Sequence, residues 1–389
     1  MRTTRREWLT VMAAGAVGSV MGAEDDVIPI VREAEGVAAV PVSLAGFGSE
    51  VMNALRFDLR VQGFRVVPAA DAQYELSGNE GGSLSGQVRD RVSGKALLAR
   101  EYRGGSARAQ AHAFADDFVQ LAPLGRIGIA RSRIVWRIES GQASEVYLAD
   151  YDGHNHVQVT RDGTITRDPS WVPGQRRLLY TSYRTGMPRI YSHDLATGER
   201  SVVAGYPGLN GSPAVSPDGR RVAMILSRTG SPDLYVANLD GTGLRQLTTT
   251  KEDESSPCWA PDGRTICVVS RQGGRPALYR VSTEGGPMRR INAVGGGSVT
   301  EPDWSPDGKL IAFTTSFGGF QICTVSANGG PVTVLGQGED PVWARNSRTL
   351  LYVRRVGNRK VLSMLDVPTK QIEDLRRFSG SCSQPDWVR

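Results

Sequence analysis

A thirteen-residue phrase recurs along the second half of the chain and constrains the fold more than any other feature. It reads SPAVSPDGRRVAM at 212–224, SPCWAPDGRTICV at 256–268 and EPDWSPDGKLIAF at 301–313. Each copy places a proline-containing turn between two short segments with apolar residues, which is typical of a tight β-hairpin. Such a repeat predicts similar β units that bury their apolar faces by packing against one another.

The spacing of the repeats predicts the size of each unit. The proline before the central apolar position recurs at intervals of 44, 44, 45, 39 and 44 residues, which is the length of a four-stranded propeller blade. These prolines are Pro169, Pro213, Pro257, Pro302, Pro341 and Pro385. The segment 133–160 supplies three strands without a first one, and 383–388 supplies a first strand alone. We therefore expect a six-bladed β-propeller over 129–389 that the C-terminal strand closes.

The N-terminus has the pattern of an export signal. Basic residues are followed by an apolar stretch over 9–21 and by the small residues Gly22 and Ala23. This pattern predicts a cleaved signal peptide over 1–23 and a mature protein outside the cytoplasm. The adjacent Arg5 and Arg6 fit twin-arginine export as well as the general secretory route, and the sequence leaves that choice open.

Residues 24–128 lack the repeat and predict a small α/β domain. The segment 49–62 has apolar residues on one helical face, and we expect Ser49 to cap this helix and Gly63 to end it. A second helix is predicted over 106–121, where alanine and phenylalanine recur at helical spacing. Short apolar runs between the helices predict a small sheet. The expected fold class is thus β-rich with two domains, an α/β domain followed by the propeller.

Several motifs together resemble those of the TolB family, the periplasmic component of the Tol-Pal envelope system. The second helix carries Arg108, His112 and Asp116 in the family's R-x-x-x-H-x-x-x-D arrangement. The stretch Tyr151-Asp152-Gly153-His154-Asn155 is similar to the family's Y-D-G-x-N turn. The repeats, the preceding α/β domain and the export signal complete the resemblance, which covers nearly the whole chain after residue 23.

The resemblance implies a binding protein without a catalytic centre. Family members dock a peptidoglycan-associated lipoprotein of the OmpA-like type (Pal) at the mouth of the propeller channel. They contact a TolA-type inner-membrane protein at the N-terminal side. The implied roles are outer-membrane integrity, cell division and protein import, with a monomer held near the outer membrane through its partners. The shorter N-terminal domain leaves open whether this is a main TolB or a divergent paralogue.

The predicted protein-binding residues lie where the chain enters the first strand of each blade. A propeller brings these entry segments together around its channel, and many of them are acidic or polar here. The residues are Asp168, Leu209, Asn210, Glu254, Ser256, Glu301, Asp340 and Gln384. No cofactor is expected, although such a ring of carboxylates also raises the alternative of a calcium ion on the axis.

Other function classes find little support in the sequence. A G-x-S-x-G nucleophile motif is absent, so a degenerate propeller enzyme is only an alternative. His154 and His156 have strand spacing, but no third ligand is near them in sequence, and no metal site is predicted. The net charge of +6 comes from scattered residues, which does not indicate nucleic-acid binding. A non-Tol propeller that binds oligosaccharide or peptide remains a further alternative, although the repeat tryptophans are expected to pack between blades.

The four cysteines leave one question open. Cys258 and Cys267 flank a Pro-Asp-Gly turn, and one hairpin register would place them opposite each other. An exported protein permits a disulfide between them, whereas a register shifted by one residue would leave buried thiols.

Overall fold

The computed structural model describes residues 32–33, 36–121, 125–295, 297–316 and 319–387. The predicted export signal at 1–23 lies outside these residues. Within the described ranges, no helix has the length and apolar character needed to cross a membrane.

A five-stranded sheet and two helices form the N-terminal part. The strands, in sheet order, are Phe64–Val66, Val40–Ala45, Tyr74–Glu80, Leu84–Asp90 and Ala96–Tyr102. The helices α1 (Ser49–Arg60) and α2 (Ala107–Leu121) are those that the apolar spacing predicts, and a 3-10 turn covers Ala69–Asp71. Gly63 has a φ of +85° just after α1, a conformation that glycine adopts without steric cost.

Helix α1 begins at Ser49 as predicted, but the predicted capping residue was wrong by one position. Gly48, not Ser49, is the N-cap, and no side chain of the cap accepts a helix N–H. The Glu80 carboxylate instead accepts the Gly48 N–H at 2.6 Å. This carboxylate would lie 3.0 Å from a Cβ at position 48, so the close approach favours glycine there.

Six four-stranded units surround a common axis, as predicted. We label their strands A to D from the axis outward, and blade 1 combines both ends of the propeller sequence. Blade 1 contains Ser381–Trp387, Arg133–Ser140, Ala143–Asp150 and Val157–Gln158. Blade 2 contains Thr166–Trp171, Arg177–Ser182, Arg189–Asp194 and Arg200–Ala204. Blade 3 contains Asn210–Val215, Arg221–Leu226, Asp233–Asn238 and Arg245–Gln246.

The remaining blades follow the same order. Blade 4 contains Glu254–Trp259, Thr265–Ser270, Ala277–Ser282 and Arg289–Arg290. Blade 5 contains Val299–Trp304, Leu310–Thr315, Gln321–Ser326 and Thr333–Gln337, with Arg32–Glu33 added in parallel at its outer edge. Blade 6 contains Glu339–Trp343, Thr349–Val356, Arg359–Asp366 and Gln371–Leu375. A short parallel pair, Ala293–Val294 with Gly330–Pro331, joins blades 4 and 5.

The C-terminal strand closes the ring. Ser381 pairs with Glu139 and Trp387 pairs with Ile134 in an antiparallel ladder. This pairing confirms the prediction that the tail completes the blade that begins after the α/β domain. A closed ring of blades leaves only short, protected sheet edges.

The α/β domain packs on the side of the propeller where strands A turn into strands B. Thr349 Oγ1 donates to the Val61 carbonyl at 2.9 Å, and Arg345 donates to the Gly128 carbonyl at 2.7 Å. One apolar core runs across this junction, from α1 and α2 to the side chains of Trp136 and Trp387. The opposite side of the propeller, where strands A begin, is not covered by this domain.

Candidate protein-binding site at the propeller hub

Each strand A contains one residue in the left-handed backbone region, directly before the repeat proline. The φ values of these residues lie between 48° and 55°. We call the six residues the hub ring: Asp168, Ser212, Ser256, Glu301, Asp340 and Gln384. The pairing with strand B shifts at this point in every blade, as in a β-bulge. Left-handed backbone at a residue other than glycine costs free energy, so the surrounding ring must hold it in place.

The bulge places these side chains within strand A rather than in the preceding connections, where the sequence pattern had put them. Strand A begins two to four residues before the proline in each blade. The apolar alternation starts only after the proline, so the pattern could not indicate the earlier part. All six side chains are half-buried and line the channel.

Side chains of the hub ring bind the backbone of the next blade. Gln384 Oε1 accepts the Asp168 N–H at 3.1 Å, and Asp168 Oδ2 accepts the Ser212 N–H at 3.3 Å. Across the ring, Glu301 Oε2 accepts the Asp340 N–H at 3.1 Å, and Asp340 Oδ2 accepts the Gln384 N–H at 2.7 Å. The bulges free these N–H groups from the ladder, and the ring satisfies them while it links adjacent blades.

Opposite charges meet at the hub ring. Burial raises the pKa of Asp340 well above its ordinary value, and the adjacent Glu301 carboxylate raises it further. Arg137 donates to Gln384 Oε1 at 3.2 Å. Burial and the neighbouring Arg167 lower the pKa of Arg137. Because the carboxylate, hydroxyl and amide side chains of the ring lie next to arginines, this end of the channel can hydrogen-bond to polar groups of a bound chain.

The channel behind the hub ring is wide and has an apolar wall. Its volume is about 570 Å³, and all six repeat prolines line it. The tryptophans that follow are buried as predicted, with exposed fractions of 0% to 7%. They are Trp171, Trp259, Trp304, Trp343 and Trp387. Trp259 Nε1 donates to the Ala214 carbonyl at 2.8 Å, so this indole side chain links blade 4 to blade 3.

The other predicted residues divide into two kinds. Asn210 is fully buried, and its side-chain amide donates to the Tyr206 carbonyl at 2.7 Å. Glu254 is also buried and accepts hydrogen bonds from Thr248 and Ser270, so these two side chains serve the fold. Leu209 is half-buried and lines a smaller cavity of about 270 Å³ beside the channel.

The described residues contain no group of three or more histidine, cysteine, aspartate or glutamate side chains placed to hold a metal ion. His156 lies edge-on to Phe378 in a turn. Cys258 is directly opposite Cys267, in the register that would permit a disulfide, and both are buried thiols in the structure.

A buried charged cluster joins the α/β domain to blade 1. His112 Nδ1 lies 2.8 Å from Asp58 on α1, and His112 Nε2 lies 3.0 Å from Asp152. Arg108 pairs with Asp152, and the Tyr151 hydroxyl donates to Asp58. Burial alone would lower the pKa of His112, but Asp58 and Asp152 raise it to about 10. The four-residue spacing that revealed the resemblance thus places Arg108 and His112 on the helix face that meets the propeller.

Comparison with known proteins finds a family model and relatives that all carry the name TolB. A model of the TolB beta propeller domain matches residues 124–389. Curated relatives include the Tol-Pal system protein TolB of Aromatoleum aromaticum, 39% identical over 103 residues, which is 26% of this chain and 24% of the relative. The TolB of Polaromonas sp. is 30% identical over 240 residues, 53% of this chain and 55% of the relative. The matched part of the chain thus spans between about a quarter and half of the length of these relatives.

The crystal structure of TolB from Acinetobacter baumannii has the same fold. Its TM-score is 0.82 at 24% identity, with 91% of this chain and 97% of that chain covered. The family model covers the propeller alone, whereas the structural likeness extends over the part that precedes it. Since the family model covers more than half of the residues, the chain belongs to the TolB β-propeller family.

Proposed function

We propose that this protein is a periplasmic scaffold of the Tol-Pal type. In this proposal it binds an OmpA-like peptidoglycan-associated lipoprotein at the hub ring and a TolA-type inner-membrane protein at the N-terminal side. Its proposed role is to bind other envelope proteins, without catalysis, and in this way to support outer-membrane integrity, cell division and protein import. The named relatives belong to the Tol-Pal system, which supports the assignment to this system.

The observation that carries the proposal is the hub ring. Its hydrogen bonds connect blades through side chains, so the binding face is rigid before any partner arrives. A preorganised face loses little conformational entropy on binding, which favours affinity at a modest contact area. The α/β domain packs on the opposite side and leaves this face accessible.

The absence of catalysis is part of the same proposal. The carboxylates of the hub ring accept backbone hydrogen bonds, and His112 is held in the junction cluster. The four cysteines are buried, which disfavours their use as nucleophiles. An enzyme would need an activated group that can reach a substrate in the channel.

Titration calorimetry tests the main binding site. The purified OmpA-like domain of a peptidoglycan-associated lipoprotein is titrated into the mature protein, and the variant Leu209→Glu places a charge beside the hub ring. We expect at least a tenfold loss of affinity, because a buried charge without a partner costs several kcal/mol. Val202→Glu, at an exposed position on the outer strand of blade 2, is the matched control and should bind normally.

The rival functions give different results. An oligosaccharide or peptide retained in native mass spectra, together with no heat from the lipoprotein domain, would favour a non-Tol binding propeller. Location is tested separately by osmotic-shock fractionation, in which a periplasmic protein is released and loses its leader. Cytoplasmic retention of an intact chain would contradict the proposed export.

A further inference from the structure

Arginines that are scattered along the sequence gather at the outer edge of blade 4. Arg280 on strand C is directly opposite Arg289 on strand D. The neighbouring Arg290 extends its guanidinium toward Gly273, in the turn between strands B and C. Arg271 and Arg275 flank this turn and are exposed. We call this set the arginine edge: Arg271, Arg275, Arg280, Arg289 and Arg290.

These cations have no carboxylate partners among the described residues. Every ion pair that the described part of the chain makes involves other side chains, such as Arg200 with Asp162 at 2.7 Å on the outer strand of blade 2. Blade 6 likewise pairs Arg354 with Asp374 at 2.9 Å. The outer strands of blades 2 and 6 therefore pair their charges, and the arginine edge does not.

The carboxylates of blade 4 lie elsewhere. Glu254 is buried at the hub end of strand A, and Asp262 binds backbone N–H groups of its own turn. Glu284 lies in the turn between strands C and D. Two arginines directly opposite each other in a ladder repel and destabilise the sheet. The isolated fold gains nothing from this pair, so an external anion is the natural source of compensation.

The geometry points to an anionic lipid surface as the ligand of the arginine edge. Arginine binds phosphate oxygens through two parallel N–H groups, and this makes it suited to phospholipid headgroups. An acidic protein partner would be expected to use an apolar anchor at the centre of its contact. No large apolar side chain is exposed within strands A to D of blade 4 or the turns between them, and the nearest one in sequence, Val294, is 38% exposed. An electrostatic contact with a phosphate-rich plane fits a patch of this composition.

This inference uses the proposed function only for the location of the protein between two membranes. The mature protein would bind a membrane directly and reversibly, in addition to any attachment through partners. Each basic residue near an anionic membrane raises the partition coefficient about fivefold. The contact weakens when salt screens the charges.

Vesicle co-sedimentation tests the inference with the whole mature protein and no partner. One set of vesicles is phosphatidylcholine alone, and the other contains about 30% phosphatidylglycerol, enough for a clear negative surface potential. We expect binding to the anionic set only, and loss of it at high salt. The triple variant Arg280→Gln, Arg289→Gln, Arg290→Gln should bind on the order of a hundredfold more weakly.

Two further variants separate the arginine edge from net charge and from folding. The control Arg65→Gln, Arg89→Gln, Arg161→Gln removes three exposed arginines elsewhere and should bind like the wild type. Arg289→Lys with Arg290→Lys keeps the charge and should retain most binding. Circular dichroism and thermal melting establish that each variant is folded.

Several results would overturn the inference. These are equal binding to both vesicle sets, no binding to either set, or an equal loss in the control. Binding to a polyglutamate peptide but not to vesicles would indicate a protein partner instead.

Charged residues also protect exposed sheet edges from pairing with other chains. If the triple variant self-associates but binds vesicles normally, edge protection is their role. None of these results depends on the lipoprotein, so they leave the proposed function untouched.

Discussion

Replacing His112 with glutamine should destabilise the protein by about 3 kcal/mol at neutral pH. His112 is 5% exposed and lies between the carboxylates of Asp58 and Asp152, which are also buried. Removing one member of a buried ion pair typically costs 3–5 kcal/mol, because the remaining charge loses its compensation. Asp152 keeps Arg108 and Asp58 keeps the Tyr151 hydroxyl, so we expect the lower end of that range.

The pH dependence of this loss distinguishes a charged histidine from a neutral one. The carboxylates raise the pKa of His112 from 6.5 to about 10 against the effect of burial. Its stabilisation is therefore complete below the unfolded pKa and disappears as the pH rises through 10. One proton bound only by the folded state changes the unfolding free energy by up to about 1.4 kcal/mol per pH unit. The difference between wild type and variant should thus shrink by more than about 1 kcal/mol from pH 7 to pH 9.

Guanidinium titration followed by tryptophan fluorescence at a series of pH values measures both effects. His156→Gln is the control, because this histidine lies exposed in a turn and should change stability by about 0.5 kcal/mol or less. A loss below about 1 kcal/mol for His112→Gln, equal at pH 7 and pH 9, would show that His112 is a neutral packing residue. The reasoning about the junction cluster would then fail.

Three other predictions concern the ring and its supports. Deleting residues 381–389 removes strand A of blade 1 and the buried Trp387, so the propeller should lose its cooperative thermal transition; an unchanged melting curve would refute closure. Gly63→Ala should cost more than about 2 kcal/mol, because φ is +85° and a Cβ would overlap the Arg348 guanidinium. Gly141→Ala, with φ of +61° and open space around it, should cost about 1 kcal/mol in the same chemical denaturation assay. Thiol titration of denatured protein purified without reductant should find four thiols, and a mass 2 Da lower than expected would instead indicate the Cys258–Cys267 disulfide.

The repeat made the number and closure of the blades predictable. Proline and the apolar residue two positions later keep the same spacing in every blade. Strands A to D pair within their own blade, and in blade 1 the C-terminal strand pairs with the first strand of the propeller sequence. The incomplete first and last repeats then require that Trp387 pair near Ile134, as it does. The regular interval between repeats predicts the number of blades even where a single turn lacks the usual proline, aspartate or glycine.

The chemistry of the hub was less predictable, because the bulges change what each polar residue does. Asp168 lies directly before a repeat proline and Glu254 lies three residues before another, and the sequence presents both as acidic residues at the entry to strand A. The structure turns Asp168 toward the channel and buries Glu254 among hydroxyl groups. A positive φ at the residue before proline cannot be predicted from the spacing of apolar residues. The arginine edge was hidden for a similar reason, since Arg280 and Arg289 become neighbours only through strand pairing.

The inner strands of blades 1 and 6 connect the two faces that a scaffold of this kind would use. Gln384 and Asp340 contribute to the hub ring at one end. Three residues further along the same strands, Trp387 and Trp343 are buried at the end that faces the α/β domain. The hub ring and the junction with the α/β domain are therefore separated by only about 10 Å of extended backbone. They point in opposite directions, so partners on the two sides could bind at once without contact. In the proposed function, a pull on a partner at the hub ring would pass along these paired strands to the α/β domain.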